Sequence, residues 1–214
     1  MTRALVFSGG GDYADPWHPY AESSEQLAEL LRMWGRDVEV ADRVAPAVEA
    51  LADRPELLVI NAGAGPDPHP LDAELAGAAI AHVETGGDLL VVHLSTGLFP
   101  GDDAWEAMIG ARWIWNVSGH PPHGPFTVLI DADPRTAGLG DFTIDDESYS
   151  RLRLGDGSRV LASHQHDPDG IRHPLVWTRE HGAGRVVVDL LGHDGASFEN
   201  LGHRTLLERA LAPS

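Results

Sequence analysis

Two short runs constrain this chain more than anything else in it. Leu57-Leu58-Val59-Ile60-Asn61 and Asp88-Leu89-Leu90-Val91-Val92 are apolar at consecutive positions, so neither alternates between a wet and a dry face. A strand of that kind is stable when both sides are covered, as in the middle of a parallel sheet flanked by helices. The neighbouring segments supply those helices. Ser23 to Trp34 carries Leu27, Leu30, Leu31 and Trp34 on one face, with Ser23 and Gln26 spaced as a capping box and Gly35 as the stop. Pro46 suits the first turn of a helix running to about Asp53, and Pro70 to Glu84 forms the next. With strands at Arg3 to Phe7 and Asp37 to Ala41, the first half reads β-α-β-α-β-α-β, which implies parallel strands and right-handed crossovers.

The second half is less regular. Asp103 to Ile109 reads as a helix and Arg112 to Val117 as a strand blurred by its aromatics. Phe126 to Ile130, Val160 to Ser163, Leu175 to Thr178 and Arg185 to Leu190 read as strands, and Asn200 to Leu211 as a closing amphipathic helix. Phe142 to Leu152 contains Asp145-Asp146-Glu147-Ser148-Tyr149, where Asp145 and Asp146 are expected in solvent. No repeat or linker interrupts residues 1–214, which are expected to form one domain.

Three absences narrow the chemistry. There is no Cys, hence no disulfide, no thiolate-ligated zinc and no thiol nucleophile. There is no Lys among the 15 basic residues, which removes a Schiff-base lysine and a P-loop lysine. A formal charge of −18 argues against a nucleic-acid partner. No apolar stretch approaches the ~20 residues of a membrane span, and a cytoplasmic location is expected. Gly9, Gly11 and Ala14 formally satisfy a dinucleotide-binding fingerprint. Asp15-Pro16-Trp17-His18-Pro19 cannot open the required helix, so the loop is read as a ligand approach carrying Tyr13, Trp17 and His18.

Histidine is abundant, at 12 residues. His93, His120, His123, His164, His166 and His193 fall in turns just past strands, where imidazole serves as acid, base or metal ligand. His69, His82, His173, His181 and His203 are expected at the surface, His203 with a structural role at the start of the last helix. His93 ends the second apolar run, at the sheet edge where open α/β folds bind ligands. The backbone N–H groups of Leu94 and Ser95 are expected to point the same way. Ser95 itself lies in a partial G-x-S-x-G elbow whose first Gly is replaced by His93, which weakens it as a nucleophile. His120 and His123 sit in a rigid Pro-Pro loop that is expected to turn one of them inward. Glu147 is the carboxylate expected to join the imidazoles. Gly192-His193-Asp194-Gly195 repeats the form of the His93 turn.

Gly119-His120-Pro121-Pro122-His123-Gly124, Asp146-Glu147-Ser148-Tyr149, Val176-Trp177-Thr178-Arg179-Glu180 with Gly184-Arg185-Val186, and Leu191-Gly192-His193-Asp194 together resemble the ThuA-like (trehalose utilisation) family. Ser148 departs from it, since many members carry Leu there. The resemblance implies the class I glutamine amidotransferase-like fold: three layers, a flavodoxin-like mostly parallel sheet with helices on both faces. It places His93 where amidotransferases hold their nucleophilic Cys, so thiolate-driven glutamine hydrolysis is excluded. It also implies a part in the catabolism of trehalose and related disaccharides through 3-keto sugars.

The expectation is therefore an isomerase, lyase or hydrolase acting on a small-molecule sugar. His93, Glu147, His193 and His120 would be catalytic, and His18, Trp17, Ser95, His123, Trp177 and Asp194 would bind substrate. A divalent metal (Zn, Mn, Fe or Ni) at His93, His120, His193 and Glu147 and a homo-oligomeric state are both left open. The alternative is a non-catalytic sugar-binding or regulatory protein on the same fold.

Overall fold

The two doubly apolar runs lie side by side in the middle of a nine-stranded sheet, where Leu57 to Ile60 and Leu89 to Val92 are all buried. The computed structural model describes residues 2–63 and 65–213; Met1, Ser214 and Ala64, the last within the 62–69 loop, lie outside it. The first half follows the expected alternation: β1 (Thr2–Ser8), α1 (Tyr20–Met33), β2 (Arg36–Ala41), α2 (Val44–Leu51), β3 (Leu57–Asn61), α3 (Asp72–Glu84) and β4 (Asp88–Val92). The second half comprises α4 (Asp103–Ile109), β5 (Ala111–Arg112), β6 (Gly124–Ile130), β7 (Phe142–Asp146), β8 (Arg153–Leu154), β9 (Arg159–His164), β10 (His173–His181), β11 (Gly184–Asp189) and α5 (Leu201–Leu211).

Strand order in the large sheet is β2-β1-β3-β4-β11-β10-β9-β6-β7. β2, β1, β3, β4 and β11 are parallel, and the remaining pairings are antiparallel. The sheet is thus mixed: a parallel body with an antiparallel extension. Each fully buried aliphatic side chain in that body contributes about 1.5–3 kcal/mol relative to exposure.

β11 lies beside β4 with Asp189 opposite Val92, so the turns after these two strands open at the same sheet edge. β6 touches β9 only through Leu129 and Ile130, and pairs with β7 through its preceding residues. The β6–β7 hairpin curls back over that edge. Asp146, at the end of β7, reaches the Gly192 N–H after β11 at 2.8 Å, although three strands separate β7 from β11 in the sheet.

Local expectations fail where tertiary contacts override a short pattern. α1 starts at Tyr20 after Pro19, one turn before the expected capping box. Ser23 and Ser24 are instead buried, and each hydroxyl accepts from Asn61 Nδ2 at 3.0 Å. Of the expected Arg112-to-Val117 strand only Arg112 pairs, within the two-residue β5 Ala111–Arg112, because Trp113 and Trp115 turn into a cavity and not along a ladder. The Gly-rich loop after β1 packs against the start of α2. A Cβ on Gly11 would collide with the Asp42 carbonyl, and Asp12 accepts from the Val44 N–H at 2.9 Å, capping α2 from a distance.

Candidate active site

β4 ends at Val92 and passes at once into a 3-10 turn, His93–Gly97. His93 takes φ +50°, a left-handed conformation that costs a non-glycine residue about 1–3 kcal/mol and persists only where the surroundings hold it. Here they do. The ring is 0% exposed, and lies 4.1 Å from the Tyr149 ring. Nδ1 is 2.7 Å from Leu190 O; a carbonyl only accepts, so Nδ1 carries the proton. In the neutral ring this turns the Nε2 lone pair toward Glu147 Oε2, 3.2 Å away.

Glu147 is held by its neighbour. Asp146 is 1% exposed, contrary to its expected place in solvent. Its carboxylate accepts from Glu147 N (2.7 Å), Gly192 N (2.8 Å), His193 N (3.3 Å) and Ser197 Oγ (2.5 Å). One buried anion thereby fixes the backbone on both sides of the site. Gly192 is needed in that turn: its φ is +103°, and a Cβ would lie 2.9 Å from Phe198 and 3.0 Å from Val92.

The other imidazoles converge on Glu147 Oε2. His193 Nδ1 lies 3.2 Å away, close but off the line a hydrogen bond requires. His120 Nε2 is 3.5 Å away, and its Nδ1 donates to Pro121 O at 2.9 Å. His18 completes the group, with its ring 5.0 Å from that of His93 and 4.9 Å from that of His193. Its Nδ1 donates to Asp15 at 2.8 Å, and the same carboxylate accepts from Tyr20 Oη at 2.9 Å. His18, His93, Glu147 and His193 each bring a donor atom within 4.8 Å of the others'.

Burial alone would raise the Glu147 pKa, but its contacts with the His193 and His93 imidazoles, with His120 nearby, reverse this and hold it well below the usual carboxylate range. The Glu147 contact raises His193 against the opposing effect of burial. Burial lowers His18, and Asp15 only partly restores it. Tyr149 is pushed well up by burial and the nearby carboxylates.

Beside the cluster is a cavity of about 240 Å³. Trp17, Trp113, Trp115 and Tyr149 give it aromatic walls, and His18, His120 and Glu147 line it too. The buried Nε1–H groups of Trp113 and Trp115 have no hydrogen-bond partner among the described residues. A larger cleft of about 570 Å³ lies at the opposite sheet edge. Its one imidazole, His82, is buried against expectation and has Nε2 engaged with Asp88 O at 3.0 Å.

Not every expected site residue joins. Ser95 is buried, and its hydroxyl lies 2.9–3.0 Å from Ile60 O and Ala62 O while accepting from Ala62 N, so it ties β3 to the turn. Trp177 is a core residue, 0% exposed, with Nε1 donating to Ile109 O at 3.0 Å; no sugar can stack on it. Asp194 accepts from Ala196 N, and His123 sits outside His193 (rings 5.0 Å apart) and 3.3 Å from Asp145. His164 is buried, donating to Tyr149 O at 2.9 Å, and supports the site from behind. His203 is buried rather than exposed, 2.7 Å from Asp189. Sequence reasoning missed Asp15, Asp146, Tyr149, Trp113 and Trp115. The Asp15-x-x-His18 and Trp113-x-Trp115 spacings were the available signals.

A family model described as ThuA, trehalose utilisation, matches residues 3–212. No curated protein is close enough in sequence to count as a relative. Among solved structures, a ThuA-like protein from Parabacteroides merdae is similar over 98% of this chain and 88% of its own, at TM-score 0.79 and 19% identity. A cytoplasmic protein from Salmonella typhimurium LT2 is similar over 97% and 96%, at TM-score 0.68 and 16% identity. A β-galactosidase from Rahnella sp. R3 contains the same fold within a longer chain: 98% of this chain matches 30% of that one, at TM-score 0.64 and 14% identity. Identities this low speak to fold alone. Among the described residues no helix is long and apolar enough to cross a membrane.

Proposed function

The chain belongs to the ThuA, trehalose utilisation, family, and from that premise we propose a cytoplasmic enzyme that acts on a 3-keto disaccharide or related keto-sugar by proton transfer. One observation carries the reading. A single carboxylate, Glu147, meets three imidazoles at 3.2 to 3.5 Å where it lines an aromatic cavity. Pyranose rings stack their C–H faces on indole, and the exposed Trp17 ring offers such a face on this cavity.

A ketone acidifies the C–H bond on the adjoining carbon. When a base removes that proton, the electron pair passes into the ketone as an enolate. Returning a proton to the opposite face gives an epimer. Where the next carbon bears the glycosidic oxygen, expulsion of that oxygen collapses the enolate to an enone, and the departing oxygen takes up the proton held by the base, which cleaves the disaccharide. We assign the proton to His120. Its Nδ1 is committed to Pro121 O, Nε2 is free to accept, and it lines the cavity. Glu147, 3.5 Å from His120 Nε2, offsets the charge that ring gains, and His93 and His193 lie against the same carboxylate oxygen from the buried side. General acid–base catalysis contributes typically about 10²–10⁴-fold.

The test is to incubate the protein with 3-keto-trehalose, with and without chelator, and follow the sugar by NMR. Conversion by the wild type, slowed at least about 100-fold by His120→Ala, is expected. Measurable binding without turnover under any metal condition would identify a sugar-binding protein instead.

A further inference from the structure

We propose that His18, His93, His193 and Glu147 form a binding site for one divalent first-row transition-metal ion. Nothing in the sugar reading requires this; it rests on where four donor atoms point. His93 gives its Nδ1 proton to Leu190 O, and His18 gives its own to Asp15. Backbone-carbonyl and carboxylate partners of this kind fix the tautomer of metal-binding histidines. The nitrogens left over face one another. Among the described residues His18 Nε2 has no partner although its side chain is only 5% exposed, and His193 Nδ1 is likewise buried without a hydrogen bond. His93 Nε2 presents a lone pair to a carboxylate oxygen 3.2 Å away. A proton on one imidazole would answer one of these contacts. A single cation answers all of them, because the four residues' donor atoms lie within 4.8 Å of each other.

Three imidazole nitrogens and one carboxylate suit Zn, Mn, Fe, Co or Ni, and disfavour Mg and Ca, which take oxygen donors. The set differs from the sequence expectation at one position: His18 replaces His120, which stays free on the cavity side. A second acidic cluster provides the contrast. Asp167, Asp169 and His173 also approach one another, but Arg151 lies 2.6 Å from Asp167 and 3.8 Å from Asp169 and already supplies the positive charge.

The experiment uses full-length protein without a His-tag, stripped with chelator and titrated with Zn²⁺ or Co²⁺. Bound metal is read by mass spectrometry, by Co²⁺ visible absorption and by thermal shift. One equivalent per chain is expected, with affinity lowered at least about tenfold in His18→Ala and Glu147→Gln. Asp15→Asn, which touches no ligand atom of the ion, should lower affinity about 10- to 100-fold through loss of ring orientation. Asp169→Asn should leave it unchanged. His18 sits on a loop, so its variant keeps the test decisive if His93→Ala fails to fold. Binding well below one equivalent, or equal affinity in His18→Ala and Glu147→Gln, overturns the site. Turnover of 3-keto-trehalose by metal-free protein would leave the proton-transfer reading standing without it.

Discussion

Asp146→Ala removes the one buried anion that joins the β7 end to the turn after β11. Four donors lose their acceptor: three backbone N–H groups (Glu147, Gly192, His193) and the Ser197 hydroxyl. Hydrogen bonds to a charged group are each worth about 1.5–3 kcal/mol, so the gross loss is large. Against this, the variant no longer buries a carboxylate, which recovers several kcal/mol of desolvation. Breaking a buried charged network by removing one partner nets about 3–5 kcal/mol. At about 2–4 °C per kcal/mol for a chain of this size, Tm should fall by about 6–20 °C. Differential scanning calorimetry gives the shift. Asp146→Asn should recover little, because its amide N–H₂ meets donors. A Tm change below about 2 °C for Asp146→Ala would refute the claim that this carboxylate fixes the site.

Other perturbations separate structural from chemical roles. Ser95→Ala should cost about 1–3 kcal/mol in urea unfolding while activity per folded molecule is kept; a thousandfold loss of activity at unchanged stability would restore Ser95 as a nucleophile. Trp17 is 59% exposed on the cavity, and Trp17→Ala should raise KM about 2- to 12-fold, the equivalent of about 0.5–1.5 kcal/mol of stacking, with Tm held. An unchanged KM would remove Trp17 from substrate binding. Burial would lower the His203 pKa, but Asp189 at 2.7 Å, with Asp146 beyond, raises it. The folded state then holds that proton more tightly than the unfolded chain. Its contribution is complete below the unfolded pKa of about 6.5 and is lost as pH rises through the folded value. The stability gap between wild type and His203→Gln should therefore shrink as pH rises above about 6.5; a constant or widening gap would contradict the pairing.

How much of this was legible in the sequence depends on the range of the forces involved. β3 and β4 were readable because burial on both faces removes alternation, and His93 because it follows such a strand directly. The inward turn of one loop histidine was readable from Pro121-Pro122, though which of the two was not. Asp146 was misread because an acidic triplet looks solvated. Its burial is decided by donors 46 and 51 residues away, at Gly192 and Ser197. Trp113 and Trp115 mimic a strand by alternation, yet face a cavity completed by Trp17 and Glu147. Trp177 erred the other way. A family motif suggested a sugar platform, whereas β10 lies inside the sheet and buries the indole completely.

Proton abstraction beside a ketone can be watched directly. A 3-keto disaccharide incubated with the protein in D₂O should exchange the hydrogen on the carbon next to the ketone for deuterium, seen as loss of that ¹H signal. The account predicts exchange by the wild type, slowed about 100-fold or more in both His120→Gln and Glu147→Gln with the fold intact by circular dichroism. Exchange at the uncatalysed rate in the presence of wild-type protein that demonstrably binds the sugar, or undiminished exchange in both variants, would contradict it.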